Sequence, residues 1–130
     1  MVTWNNLDTL ASFKELEKAK KVQLAEVMSG ENGAERVKKY SVPMAEGLAY
    51  NYGAKQVDDN ILNALAKLAE EAQLTEKYEA LYNGEMINTG EKRLVLHQLT
   101  RGQLGDAVVA DGVDKRAFYV EQQTKIAEFA

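Results

Sequence analysis

The chain's only histidine stands at position 97, between two of its four arginines. Arg93, His97 and Arg101 recur at every fourth position of Asn-Gly-Glu-Met-Ile-Asn-Thr-Gly-Glu-Lys-Arg-Leu-Val-Leu-His-Gln-Leu-Thr-Arg, residues 83–101. Read as a helix from about Glu91, this spacing stacks the three cationic or titratable side chains on one face, with Val95, Leu96 and Leu99 towards the other. A stripe of that kind is either a phosphate or carboxylate site, or a solvated or interface-facing helix.

The other residue types narrow the chemistry. Cysteine is absent, which removes disulfides, thiol nucleophiles and thiolate metal ligands. With a single histidine, a zinc site would need three carboxylate or water ligands at unusual spacing, so no metal is expected. Serine occurs only at positions 12, 29 and 41, with no Gly-x-Ser-x-Gly and no G-x-G-x-x-G fingerprint. The carboxylates fall in helix-surface patterns such as Glu70-Glu71. No pair among them is set apart as the acid and base of a proton-transfer reaction. The net charge of −4 and pI near 5.1 give no basic field for nucleic acid. Lys18, Lys20 and Lys21, like Lys38 and Lys39, are interleaved with Glu15, Glu17 and Glu35. The opening Met-Val-Thr-Trp-Asn-Asn-Leu-Asp-Thr-Leu lacks the basic region and apolar core of a signal peptide. No window approaches the roughly 18 apolar residues of a membrane span. The expectation is a cytoplasmic protein without membrane or nucleic-acid partners.

These residues need elements to position them. A length of 130 residues, 45% hydrophobic with one proline, is one domain's worth of folded chain. Apolar periodicity predicts helix from Trp4 to Met28, capped by Asn5 or Asn6 and stopped by the Gly30 and Gly33 of Ser-Gly-Glu-Asn-Gly. A short helical turn, Ala-Glu-Arg-Val-Lys-Lys-Tyr, precedes Pro43 and a small hairpin over 40–55 that turns near Glu46-Gly47, with Pro43 on an edge strand. Tyr40, Tyr50 and Tyr52 are expected to pack against a helix rather than to form a stacking platform. A helix over 58–72 is capped by Asp58, with Ile61, Leu65, Leu68 and Ala72 as its buried stripe. A further helix begins at Thr75, with Tyr78, Leu81 and Tyr82 inward and Asn83-Gly84 as its stop. Asp-Ala-Val-Val-Ala-Asp-Gly reads as a short strand with an Asp111-Gly112 turn. The last helix, from about Asp114, carries Phe118, Gln122, Ile126 and Phe129 on one face. It reaches Ala130 without a cap, as a cut chain would, so an exposed apolar surface is expected there. The fold class is mainly α with a small β-hairpin.

Residues 83–101 also resemble a motif of the glucose-6-phosphate isomerase family, approximately Gly-Glu-x-Ile-Asn-x-Thr-Glu-x-Arg-Ala-Val-Leu-His-x-Ala-Leu-Arg. Gly84, Glu85, Ile87, Asn88, Glu91, Arg93, Val95, Leu96, His97 and Arg101 match it without a gap. Tyr-Asn-Tyr-Gly-Ala-Lys is similar to the family's Val-Asp-Tyr-Ser-Lys strand, and Val-Ala-Asp-Gly-Val-Asp to its Val-Asp-Gly-x-Asp-Val. The resemblance covers roughly residues 35–130, with a weaker match over 1–34. Gly90, Leu99-Thr100, Asn51 and the Gly-Gln-Leu-Gly-Asp-Ala-Val-Val stretch depart from the pattern, as in a divergent branch.

The resemblance implies a helical N-terminal segment of a larger α/β enzyme, with the two sugar-isomerase domains absent from residues 1–130. It implies a cofactor-free enzyme of glycolysis and gluconeogenesis, a cytoplasmic homodimer that interconverts glucose 6-phosphate and fructose 6-phosphate through an enediol(ate). The family's proton-transferring glutamate, charge-stabilising arginine, ring-opening histidine and lysine, and phosphate loop match no position here. No catalytic, substrate-binding or metal residue is therefore expected in this segment. Gly84, Glu85, Ile87, Asn88, Glu91, Arg93, His97 and Arg101 are expected to be structural. The alternative is a stand-alone helical interaction module without enzymatic activity.

Overall fold

The computed structural model of the chain describes residues 2–101 and 105–130, in two compact units. Residues 102–104, at the head of the stretch that departs from the family pattern, lie outside that description.

The first unit is Trp4–Ala72. After a 3₁₀ turn, Leu7–Thr9, it holds helices α1 (Ala11–Glu17), α2 (Leu24–Val27) and α3 (Gly30–Lys39), then strands β1 (Ser41–Pro43) and β2 (Ala49–Asn51), then helix α4 (Asp59–Glu71). The single helix expected over Trp4–Met28 is thus broken twice. Leu10 is extended (ψ 144°) and buried between the 3₁₀ turn and α1, and Val22 is buried in the extended link before α2. Burying both side chains overrides the helical period, and the like-charged Lys18, Lys20 and Lys21 do nothing to hold a helix across the gap. Neither Asn5 nor Asn6 caps it: Asn6 flanks the 3₁₀ turn without a side-chain bond.

The cap of α1 comes instead from α4, on which α1 packs. Glu71 accepts from the free amides of Ala11 (3.2 Å) and Ser12 (2.8 Å), and from the Ser12 hydroxyl. The Ser12 hydroxyl, then its amide, holds the Glu71 carboxyl below the usual carboxylate range. A residue that reads as helix surface is therefore a long-range cap.

Ser-Gly-Glu-Asn-Gly starts α3 rather than ending a helix. Gly30 takes φ +58°, but Gly33 lies inside α3 and is buried against the end of α2, where any Cβ would strike the Met28 carbonyl. Its missing side chain permits that close approach.

The hairpin forms where expected, with Ser41 opposite Asn51, Val42 opposite Tyr50 and Pro43 opposite Ala49. Glu46 and Gly47 turn it with positive φ. Arg36 ties α3 to the connector after β2. Its Nε donates to Gly53 O at 2.7 Å, and its Nη2 donates to Lys55 O at 2.9 Å and Val57 O at 2.7 Å. The guanidinium also lies 4.5 Å over the Tyr40 ring. Tyr40 is buried beneath Tyr52, and Tyr52 stacks on exposed Tyr50. Beyond the connector, Asp58 caps α4 by accepting from Ile61 N at 2.8 Å. The expected stripe is half-buried at Ile61 and Leu68, buried at Ala72 and exposed at Leu65.

The second unit comprises Met1–Thr3 and Gln73–Ala130. Thr3 N donates to Gln73 Oε1 at 2.8 Å. Helix α5 (Leu74–Tyr82) follows left-handed Gln73, one residue ahead of the expected start. Its inward residue is Ala80; Leu81 and Tyr82 are half-buried, whereas Tyr78, expected inward, is 65% exposed. Strands β3 (Val109–Ala110) and β4 (Val113–Asp114) pair across the expected Asp111-Gly112 turn, both of whose residues have positive φ. Helix α6 (Lys115–Phe129) starts at Asp114, whose carboxylate accepts from Arg116 N and Ala117 N. Its Phe118, Ile126 and Phe129 are exposed, Phe129 almost completely.

Two predictions follow from the polar ties of the first unit. Because Glu71 titrates lower when folded, its contribution is present above the ordinary Glu value and is lost as pH falls through the lowered native one. Resistance of the wild type to denaturant should fall as pH drops through that window, and Glu71→Gln should flatten this acid limb; an unchanged limb refutes the cap. Arg36→Lys keeps the charge but loses the fork that reaches three carbonyls. It should cost about 2 kcal/mol in urea unfolding, and a loss below about 0.5 kcal/mol would mean water replaces the bonds.

Candidate functional site

The motif region begins where α5 ends. Glu85 N donates to Ala80 O at 2.9 Å and Gly84 N to Leu81 O at 3.1 Å, the paired bonds of a Schellman turn. Gly84 takes φ +74°, and a Cβ there would overlap the buried Val108 side chain. Both requirements fix glycine at this position.

Beyond the turn the chain folds on itself rather than continuing as a helix. Asn88 Oδ1 accepts from Glu91 N at 3.1 Å, and Asn88 Nδ2 donates to Glu91 Oε2 at 3.2 Å. Arg93 N donates to Asn88 O at 3.2 Å, making an antiparallel bridge closed by left-handed Lys92. Arg93 Nη1 lies 4.0 Å from Glu91 Oε2. The expected helix from Glu91 is therefore absent. Asn88 offers the Glu91 amide a local partner in competition with a helical turn, and Thr89-Gly90 gives the chain freedom to close the loop. Helical geometry returns only in the 3₁₀ segment His97–Thr100.

That segment carries the unit's deepest residue. Leu99 is fully buried, while Gln98 Nε2 donates to Leu81 O at 2.8 Å, a second bond to the carbonyl that Gly84 N also reaches. Gln123 of α6 donates to Thr100 O at 2.6 Å from the other side. Arg93, His97 and Arg101 are all exposed and form no helical stripe. Ile87 and Asn88 are half-buried, and Glu85 and Glu91 are exposed. The structure thus joins Asn88, Glu91 and Arg93, and sets Gly84 and Glu85 in the helix cap. His97 and Arg101 stand apart from both groups. Sequence reasoning passed over Gln98, because the motif leaves that position undefined.

The surroundings offer little acid–base chemistry. An open groove of about 500 Å³ beside Met86, Lys92, Arg93 and Val109 contains one carboxylate, Asp111, held in the β3–β4 turn. Among the described residues, no three His, Cys, Asp or Glu side chains converge as a metal site requires. In the first unit, Lys39 Nζ lies 2.6 Å from Asp59 Oδ2, and the Tyr40 hydroxyl donates to Asp59 Oδ1 at 3.1 Å. The bond to Lys39, then that to Tyr40, lowers the Asp59 carboxyl, and the same bond to Asp59 raises the Lys39 ammonium. With Glu71 also lowered, each of these groups is tuned away from neutrality, the reverse of what proton transfer at neutral pH needs.

Comparison with known proteins places this architecture. The sequence model of the phosphoglucose isomerase family matches residues 51–130, which run from the last residue of β2 through α4, α5 and the whole motif to α6. The chain is 54% identical to a glucose-6-phosphate isomerase of Treponema denticola over 98% of its own length. It is 42% identical to that of Treponema pallidum over 99%, and 39% to that of Borreliella afzelii over 100%. The chain belongs to the phosphoglucose isomerase family. It spans about a quarter of the length of these relatives.

The geometry at Gly84 is directly testable. Gly84→Ala should cost about 2–4 kcal/mol, from left-handed strain and overpacking together. In a Val108→Ala background the overpacking disappears, so the double variant should recover at least about 1 kcal/mol relative to additivity. Simple additivity would show that the close approach does not fix this residue.

Proposed function

We propose that this chain is the N-terminal segment of a glucose-6-phosphate isomerase that interconverts glucose 6-phosphate and fructose 6-phosphate through an enediol(ate), and that it serves as scaffold rather than as catalyst. The observation that carries the reading is the motif of residues 84–101 within a chain of this family. Asn88, Glu91 and Arg93 are engaged with one another and Gln98 with the end of α5, whereas a catalytic constellation leaves groups converging on a substrate. The proton-transferring and phosphate-holding residues of the intact enzyme lie on its sugar-isomerase domains. The intact protein is a cytoplasmic homodimer acting on a sugar phosphate without a cofactor or metal, and with neither membrane nor nucleic acid as partner. No helix among the described residues is long and apolar enough to cross a membrane.

The surface supports a scaffold awaiting cover. The chain exposes 10,097 Å², against roughly 8,300 Å² for two compact globules each of half its mass. Large apolar side chains lie exposed on it, among them Leu48 at 67%, Ile126 at 67% and Phe129 at 95%. Exposed Arg93, His97 and Arg101 are available to brace the segment against the sugar-isomerase domains. No observation favours the stand-alone module.

Two measurements test this role. The purified 130-residue chain should show no isomerase turnover in a coupled assay; activity surviving controls for host isomerase would move catalytic residues into this segment. In the full-length enzyme, His97→Gln should lower thermal stability or dimer content by the loss of a bond worth about 1 kcal/mol, with the chemical step unchanged. A large fall in kcat at unaltered stability and assembly would make His97 catalytic.

A further inference from the structure

Two Asn-Gly pairs occur in the chain, Asn32-Gly33 and Asn83-Gly84. Neither asparagine is used in the scaffold role above. An Asn-Gly pair is chemically unstable because glycine leaves the following backbone nitrogen unhindered. That nitrogen attacks the asparagine side-chain carbon, a C–N bond forms, and ammonia departs with the amide proton to leave a succinimide. Water then adds at either carbonyl and breaks one C–N bond, giving aspartate or isoaspartate. The net change is one water consumed and one ammonia released, with no oxidant or cofactor.

We propose that Asn83 is a deamidation site gated by the Schellman turn, closed while the turn is formed and open when it frays. Asn83 is exposed, so water and base reach it freely. Its backbone is held at φ −79°, ψ 0°, which keeps the side-chain carbon rotated away from the Gly84 nitrogen. That nitrogen is also engaged, since its proton is donated to Leu81 O at 3.1 Å. Ring closure therefore requires the turn to open, and the same opening releases the Glu85–Ala80 bond and withdraws Gly84 from Val108. The Gln98 side chain opposes it by holding the Leu81 and Tyr82 carbonyls.

Once complete, the reaction removes the constraint that slowed it. Isoaspartate lengthens the backbone between Asn83 and Gly84, so the paired bonds of the turn no longer register. Aspartate adds negative charge at the negative end of α5, whose last turn contains no basic residue. Either product loosens the cap from which the Asn88–Arg93 loop departs. Asn32 is the internal reference: it has the same chemistry but lies inside α3 of the other unit.

Mass spectrometry of peptides from the 130-residue chain, incubated at mildly alkaline pH with and without urea, tests the gate. In urea both asparagines should deamidate at comparable rates. In the folded chain Asn83 should react roughly tenfold more slowly or less. Gln98→Ala should raise the folded-state rate at Asn83 several-fold while leaving Asn32 unchanged. Equal folded and unfolded rates at Asn83 would overturn the proposal. So would a Gln98→Ala variant that accelerates both asparagines together, or neither.

Discussion

Three backbone carbonyls, those of Gly53, Lys55 and Val57, converge on one guanidinium, and the order of the first unit depends on it. Arg36 is almost fully buried and makes no ion pair among the described residues, so its hydrogen bonds must be well formed to offset desolvation. Meeting them fixes the path of the connector from β2 to α4, and with it the place where Asp58 can cap that helix. The Tyr40 ring beneath the guanidinium and the Lys39–Asp59 pair lie around the same node. Asn51 completes it, accepting from Gly53 N and donating to Val37 O. A unit with few buried apolar residues is thus given its shape by directional bonds, which specify geometry more sharply than contact area does.

The second unit solves a related problem with less charge. Gly84 and Gln98 meet at one end of α5, and each performs a different part of closing it. Glycine permits the reversal, the glutamine amide adds a second bond to the Leu81 carbonyl, and Leu99 beside it is buried in a segment that packs on α6. The polar motif residues that follow, Asn88, Glu91 and Arg93, then organise a loop largely among themselves. The long motif by which the family is recognised therefore encodes a change of direction.

The elements legible in the sequence were those with local determinants. The 40–55 hairpin, α4 behind Asp58 and the Asp111-Gly112 turn each rest on residues within a few positions of the feature they control. The helix assigned to Glu91–Arg101 rested on periodicity alone, and a side-chain bond three residues long displaced it. Arg36, Glu71 and Gln98 were passed over because their partners lie 17, 59 and 17 residues away. At that range a sequence shows only a polar residue on a helix or in a turn. Gly33 was misread for a similar reason, since a glycine that stops a helix and one that admits a neighbouring carbonyl look alike. Family membership was recoverable even so, because the order of residues in the motif survives an error about its shape.

The Ser12–Glu71 tie has a consequence for the order in which the chain acquires structure. Helix α1 has seven residues and no cap of its own, too short to persist alone in water. Its missing acceptor is supplied 59 residues later, by the last residue of α4. During synthesis on a ribosome, α1 emerges early but has to wait until Glu71 has cleared the exit tunnel. Helix α4, with its cap at Asp58 built in, nucleates first and then recruits α1. Helix α1 is therefore made before α4 but settles after it, and it stays open to chaperones and proteases throughout that delay.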